Sequence, residues 1–350
     1  MDHATLILVV LIGVALLFDF LNGLHDAANS IATIVATRVL PPVFAVGWAA
    51  FFNFIAFLFF GLHVANTIGK GIISPELISD QVIFGALMGA ISWNVITWLA
   101  GIPSSSSHAL VGGLIGAGVT KAGLSAIVIP GVTKTVAAIF LSPALGFALA
   151  LLLVFIVSWL FVKANPAFAD RVFRRLQFVS ASAYSLGHGG NDAQKTMGII
   201  ALALFGAQQA GTLDALPSWL AFMHPGGGEA DIDTWIIATC ALVMAAGTAT
   251  GGWRIIKTLG HKMVKLQPID GFAAETASAT ILVGAAHFGM PVSTTHSIST
   301  SIMGVGFGKN PRQLKLTVIE RIVWAWILTI PAAGGVAYLL LRVVEAAGWA

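Results

Sequence analysis

The sequence predicts an all-α polytopic membrane protein made of two inverted-topology repeats of about five spans each, with discontinuous helices and re-entrant half-helices. Three observations predict it: apolar runs long enough to span a bilayer, two pairs of polar motifs that recur in the same order, and basic residues confined to short loops. With 57% hydrophobic and 9% charged residues and a mean hydropathy of +0.90, a chain of 350 residues cannot present the charged surface a soluble domain of this size needs. Thr5 to Phe20, Val43 to Ala65, Val82 to Ala100, Val136 to Val162, Trp235 to Trp253 and Val318 to Val344 approach or exceed the roughly 20 residues a span requires. Backbone polar groups in such runs must pair internally, so the runs are helices.

The first run is a true helix rather than a secretory signal, because Met1 to Thr5 holds no Lys or Arg and no small-residue cleavage pattern follows. Cys240 stands alone in an apolar stretch, which leaves no disulfide framework and no cysteine metal site. The formal net charge of +3 is spread over short loops, so no nucleic-acid partner is expected. The lipid bilayer is the expected surrounding.

Those loop charges give an orientation. Lys163, Arg171, Arg174 and Arg175 against Asp170, and Arg254, Lys257, Lys262 and Lys265 against Asp270, each make a segment of net +3, whereas Gly206 to Thr234 carries Asp214, Glu229, Asp231 and Asp233 with no basic residue. The positive-inside rule puts the first two in the cytoplasm and the third outside. Between them one long, interrupted span runs from about Gln177 to Phe205. Lys309, Arg312, Lys315 and Arg321 make a third cytoplasmic segment, Glu76 and Asp80 fall outside with Lys121 and Lys134, and both termini are extracytoplasmic.

Gly23-Leu24-His25-Asp26-Ala27-Ala28-Asn29-Ser30 matches Gly189-Gly190-Asn191-Asp192-Ala193-Gln194-Lys195-Thr196. Gly101-Ile102-Pro103-Ser104-Ser105-Ser106-Ser107-His108 matches Gly289-Met290-Pro291-Val292-Ser293-Thr294-Thr295-His296. The chain is therefore a duplication, with a first repeat at 1–163, a short cytoplasmic linker at 164–175 and a second repeat at 176–350. An odd number of crossings per half makes the repeats antiparallel and brings matching motifs together at the midplane.

An ionised carboxylate at the depth of Asp26 or Asp192 costs at least roughly 2.5–3.5 kcal/mol on insertion scales, which marks a site. Asp26 and Asp192 are expected to bind the coupling cation, with Asn29 and Asn191 offering carbonyl oxygens where the helices break at Gly23 and at Gly189–Gly190. The bland alternative for all four is helix pairing through hydrogen bonds. Pro103 and Pro291 suit the first turn of half-helices, and their Ser and Thr neighbours suit caps. Ser105, Ser106, Ser107, Ser293, Thr294 and Thr295, with the free N–H groups of two helix starts, could hold a tetrahedral oxyanion without a permanent arginine clamp; close helix packing by small residues is the competing explanation. Lys195 either neutralises Asp192 or attracts the anion. His25, His108, His188 and His296 can each relay a proton, and Glu275 supports the site or stands at a cytoplasmic helix end. No catalytic residue, resident metal or cofactor is expected.

At these paired motifs the chain resembles the Pit family of inorganic phosphate transporters, over nearly its whole length. The resemblance implies an inverted-repeat fold with discontinuous helices, phosphate held by the Ser/Thr segments and cations held near the Asp and Asn positions. His25 stands where sodium-coupled members commonly carry Asn, which resembles the bacterial proton-coupled members and implies proton symport in an inner membrane, with sodium as the alternative ion. The central loop lacks the large hydrophilic insertion of many relatives. The expected function is thus a secondary active symporter importing inorganic phosphate by alternating access, the substrate travelling free or as a metal phosphate complex, with sulfate as the rival anion and a homo-oligomer compatible with it. A membrane-embedded hydrolase built on His, Asp and Ser is disfavoured by the twofold duplication, and an anion channel would need conductance far above carrier rates.

Overall fold

Apolar runs of membrane length can satisfy their backbone only as helices, and the computed structural model, which describes residues 2–74, 77–225 and 232–348, contains helices and turns with no strand among those residues. The first half comprises α1 (His3–Ala36), α2 (Pro42–Ile55), α3 (His63–Gly71), α4 (Asp80–Ala100), α5 (Ser106–Ala122) and α6 (Ile129–Leu160). The second comprises α7 (Pro166–Gln209), α8 (Thr234–Thr250), α9 (Trp253–Lys257), α10 (Pro268–His287), α11 (Thr294–Lys309) and α12 (Leu316–Ala346). The starts carry the expected chemistry. Asp2 accepts from the Thr5 amide at 2.8 Å, and α2, α7 and α10 each begin with proline.

Several sequence expectations are corrected here. Helices α1 and α7 run without a break through Gly23 and Gly189–Gly190, so α7 is one uninterrupted helix of 44 residues. Those glycines serve close packing: a Cβ would stand 2.3 Å from the Met244 carbonyl oxygen at Gly23, 2.5 Å from that of Asn53 at Gly189 and 2.3 Å from the Phe60 ring at Gly190. The discontinuities fall elsewhere. The apolar run 43–65 splits after Ile55, and α8 is bent by 57° from the segment Trp253–Lys262, a π turn included, at Gly251–Gly252. Most of the expected linker 164–175 is the first turns of α7, which starts at Pro166 with Asn165 as its cap. Of the acidic residues assigned to outer loops, Glu76, Glu229 and Asp231 lie outside the described residues.

Five helices among the described residues are long and apolar enough to cross a bilayer: α1, α4, α5 with its extension to Ala126, α6 and α12. The bent α8–α9 pair makes a sixth. Two expected spans are missing from this set, 177–205 because α7 carries the polar groups of the site and 43–65 because α2 stops after 14 residues. The chain is a multi-pass membrane protein.

Helices α4 and α5 form a hairpin whose two ends meet on one face: the Ser74 amide donates to the Ala126 carbonyl at 2.9 Å and the Val128 amide to that of Ile72 at 3.0 Å. Helices α10 and α11 do the same, their ends joined by Lys309 and Asp270 at 2.8 Å. Helix α12 begins beside the end of α11, where the Lys315 amide bonds the Met263 carbonyl at 3.1 Å. After a rise of about 46 Å, its Glu345 stands 3.3 Å from Lys121 at the end of α5. The two hairpins therefore enter from opposite faces, as inverted re-entrant half-helices require.

Each half lends its last helix to the other. Helix α5 packs on α12 and α11 on α6, through glycines that admit backbone-to-backbone contact: Cβ atoms would stand 2.1 Å from the Gly334 carbonyl oxygen at Gly116 and 2.3 Å from that of Phe147 at Gly304. Two apolar cores result. One, around Leu8–Phe18, Ile83–Ile91 and Met197–Leu204, lies toward the beginning of α1; the other, around Ile31–Ala49, Ile255–Leu266 and Ile298–Val305, lies toward its end. The polar motifs occupy the layer between them.

Candidate functional site

The hairpin tips are built by the second motif pair. After Gly101 and Gly289, both with positive φ (64° and 59°), the chain turns through Pro103 and Pro291 to the caps Ser105 and Ser293. Both prolines precede their caps by two residues, so they straighten the approach rather than fill the first turn expected of them. Ser105 Oγ accepts from the His108 amide at 3.2 Å and Ser293 Oγ from the His296 amide at 3.1 Å. The first amides of α5 and α11 have no partner within their own helices, and the positive ends of the two dipoles face the same layer.

Helices α1 and α7 bring the acidic motifs to these tips. Ser106 donates to Asp26 Oδ2 at 3.0 Å and Thr295 to Asp26 Oδ1 at 3.3 Å, so one carboxylate is held by hydroxyls from both halves. Asn29 Nδ2 donates to Thr295 Oγ1 at 2.8 Å. On the other side Thr294 donates to Asp192 Oδ2 at 3.2 Å. Lys195 Nζ bonds both Asp192 Oδ1 and Ser107 Oγ, and Ser107 in turn donates to the Val292 carbonyl at 3.2 Å. Lys195 is thus paired with Asp192 and also touches Ser107, one of the hydroxyls expected to face an anion. His25 spans Asp26 Oδ1 (2.8 Å, Nδ1) and Thr97 Oγ1 (3.2 Å, Nε2). All of these side chains are buried, none more than 3% exposed, so the site is closed to both faces.

Other expected residues are placed less directly. Asn191 donates to the Gly187 and Leu282 carbonyls at 3.0 and 2.9 Å, tying α7 to α10, while its Oδ1, the atom expected to serve a cation, is buried without a partner among the described residues. His108 and His296 lie behind the two tips and pack edge to face, ring centroids 4.6 Å apart, with no hydrogen-bond partner on either ring among the described residues. Glu275 belongs to a separate network nearer the end of α1, where it accepts from Thr33 at 2.6 Å, from Gln177 at 3.0 Å and from Ser180.

Two residues outside the expected binding set join it. His188 places Nε2 3.2 Å from Asp192 Oδ2 and Nδ1 3.1 Å from Asn53 Oδ1, and Tyr184 OH donates to the Thr294 carbonyl at 3.2 Å. His188 precedes Asp192 by four residues, one helical turn, a signal present in the sequence. Asp26, His188 and Asp192 each bring one ligand atom into a group within 4.8 Å of one another, a set suited to a small cation. Chemically, the arrangement joins hydroxyls and helix starts for an anion to two carboxylates, each with a cation-forming neighbour.

Comparison with known proteins identifies the family and the fold. Residues 22–337 match the model of a family described as "Phosphate transporter family". A Rhizobium meliloti protein named "Probable low-affinity inorganic phosphate transporter" is 59% identical, covering 93% of each chain. A Bacillus subtilis protein of the same name is 41% identical, covering 98% of this chain and 100% of that one. A solved structure titled "The sodium-dependent phosphate transporter" superposes with a TM-score of 0.82 at 23% identity, covering 97% of this chain and 99% of the other, which establishes the shared fold. These relatives are named as transporters, which sets aside the membrane-embedded hydrolase. A duplicated chain whose paired Asp motifs and paired Ser/Thr helix starts meet in one buried layer, matched over nearly its whole length, belongs to the phosphate transporter family.

Proposed function

We propose that this protein is a symporter that imports inorganic phosphate, coupled to protons, by alternating access at the layer between the two hairpin tips. One observation carries the reading: hydroxyls and helix starts from both halves, Ser105–Ser107 and Ser293–Thr295, converge on Asp26, Asp192 and Lys195. A tetrahedral oxyanion takes hydroxyl and amide donors on several sides. In the closed structure Ser106, Thr294 and Thr295 donate to the two carboxylates, so a proton on either carboxylate releases hydroxyl donors to the anion, the positive coupling a symporter needs.

Proton coupling is favoured by what already sits on each carboxylate. Asp26 carries the His25 imidazole, and Asp192 carries the Lys195 ammonium with His188 beside it. Cation-forming side chains thus stand where a coupling cation would bind, and an imidazole exchanges protons near neutral pH. The orientation follows from the cleft of about 1010 Å³ at the end of α1, where Arg38, Arg174, His261, Lys265 and Lys309 gather on one face. By the positive-inside rule that face is cytoplasmic, in a bacterial inner membrane, and both termini are extracytoplasmic.

The test is uptake of radiolabelled phosphate into proteoliposomes under an imposed proton gradient or an imposed sodium gradient, with sulfate and divalent metal as competitors. Accumulation driven by protons alone and lost in Asp26→Asn and Ser106→Ala is expected. Uptake driven only by sodium would move the coupling to the Asp26, His188 and Asp192 group. Sulfate uptake without phosphate uptake would overturn the substrate.

A further inference from the structure

Asp19 is buried in α1 and stands outside the cluster described above. It is fully buried, its Oδ1 accepts from Thr196 Oγ1 at 2.9 Å, and its Oδ2 has no partner among the described residues. Seven residues separate it from Asp26, about two turns or 10 Å along the helix toward the beginning of α1.

Its position is not isolated. Asp19, Asn22, Asp26, Asn29, Thr33 and Thr37 recur at intervals of three and four residues, which places them on one face of α1, and all are buried. Beyond Asp19 the same face continues with Ala15, Ile12, Leu11 and Leu8, all part of an apolar core. Asp19 is thus the last polar side chain before that core. Asn22, between Asp19 and Asp26, has both amide atoms buried and unpartnered among the described residues, so the stripe contains donors and acceptors that nothing in the closed packing uses.

The surroundings suit a group that changes charge. On α7 the ionisable residues whose charge reaches Asp19 are Asp192 and Lys195, and on α8 it is Cys240. Helix α2 holds no ionisable residue, α4 holds only Asp80 in its first turn, and Asp214 in the turn after α7 is exposed. Among the described residues no cation touches Asp19, and one hydroxyl is its whole hydrogen-bond support. Binding a proton removes a charge that the position barely solvates, and it gives the acid an O–H to donate toward Asn22.

We propose that Asp19 is a proton-carrying site of the transport cycle, loaded from the face on which α1 begins and emptied toward Asp26 along the buried polar stripe of α1. The step is a proton transfer only: the Asp19 carboxylate takes a proton from water on the outer face and becomes a neutral acid. That acid later gives the proton to the Asp26 carboxylate or the His25 imidazole and is ionised again. This rests on the proton-coupled reading above, and the experiment separates the two.

Purified full-length protein and its Asp19→Asn and Asp19→Glu variants are reconstituted with a pH-sensitive dye inside the vesicles. Two activities are compared: exchange of labelled for unlabelled phosphate with no gradient, and accumulation under an inward proton gradient. A gradient of one pH unit sustains about tenfold accumulation per proton carried. Asp19→Asn is expected to keep exchange while losing that accumulation and the phosphate-induced acidification, and Asp19→Glu to restore both. Parental accumulation and acidification in Asp19→Asn would overturn the inference. Loss of exchange together with accumulation, unrestored by Asp19→Glu, would also overturn it by marking a packing role. Absence of proton-driven accumulation in the parent itself would instead remove the proton-coupled reading.

Discussion

Replacing Lys195 by methionine removes the ammonium from the site while keeping the length of the side chain. The structure gives Lys195 two bonds inside the site, to Asp192 and Ser107, at no exposure to solvent. With Lys195 gone, Asp26 and Asp192 face the anion with no fixed positive charge between them. An oxyanion that accepts from Ser107 lies within about 4 Å of the ammonium, where two unit charges interact by about 4 kcal/mol at an effective dielectric of 20. Relaxation of the neighbouring hydroxyls takes about half of that, leaving about 2 kcal/mol, or roughly a thirtyfold weaker binding constant. Equilibrium binding of labelled phosphate to purified protein measures this directly, free of turnover. Lys195→Arg, which keeps the charge, is expected to bind within about threefold of the parent. A Lys195→Met protein that binds as tightly as the parent would refute the argument and leave the lysine as a structural partner of Asp192 alone.

Two further outcomes follow from packing. Gly116→Ala sets a Cβ 2.1 Å from the Gly334 carbonyl oxygen, and because both sides are backbone the α5–α12 contact must part, at a cost of about 1–3 kcal/mol. Thermal unfolding in detergent reads it, and Gly13→Ala, with nothing within 4 Å of the new Cβ, is expected to be neutral or slightly stabilising. Asp270→Asn weakens the contact to Lys309 (2.8 Å) and the cap on the Gln267 amide (2.7 Å), so the α10–α11 hairpin should lose about 1 kcal/mol, less in high salt because Lys309 is part-exposed. An unchanged midpoint in low salt would contradict it.

The fold class, the duplication and the two hairpin tips were legible because they rest on patterns along the chain: apolar length, motif order and cap chemistry. Continuity was not. Gly23, Gly189 and Gly190 are as consistent with a break as with a close approach, and only the position of Met244, Asn53 and Phe60, remote in sequence, decides for the second. The charged stretch 166–175 reads as a loop because the exposed end of a long helix has the composition of a loop. That Asp26, Asp192 and the six hydroxyl residues share one buried layer was readable from their cost in lipid and their repetition. The spacing of four residues between His188 and Asp192 was there to be read, whereas the separate setting of Glu275 depends on helix rotation, which adjacency in sequence conceals.

The exchange of last helices between halves has a consequence for synthesis. Helix α12 is made after every other described helix, yet it supplies the surface against which the α4–α5 hairpin of the first half is seated, at Gly112 and Gly116. Until α12 is made, that hairpin lies in the membrane with bare glycine backbone and the hydroxyl of Ser104 without Thr329, to which it is joined at 2.8 Å. The amino-terminal half therefore cannot finish folding as it emerges. A chain cut before Leu316 would hold both acidic motifs and both tips and still leave the first tip unsupported, and a single ancestral repeat would have needed a second copy, inserted the other way up, to close the same gap.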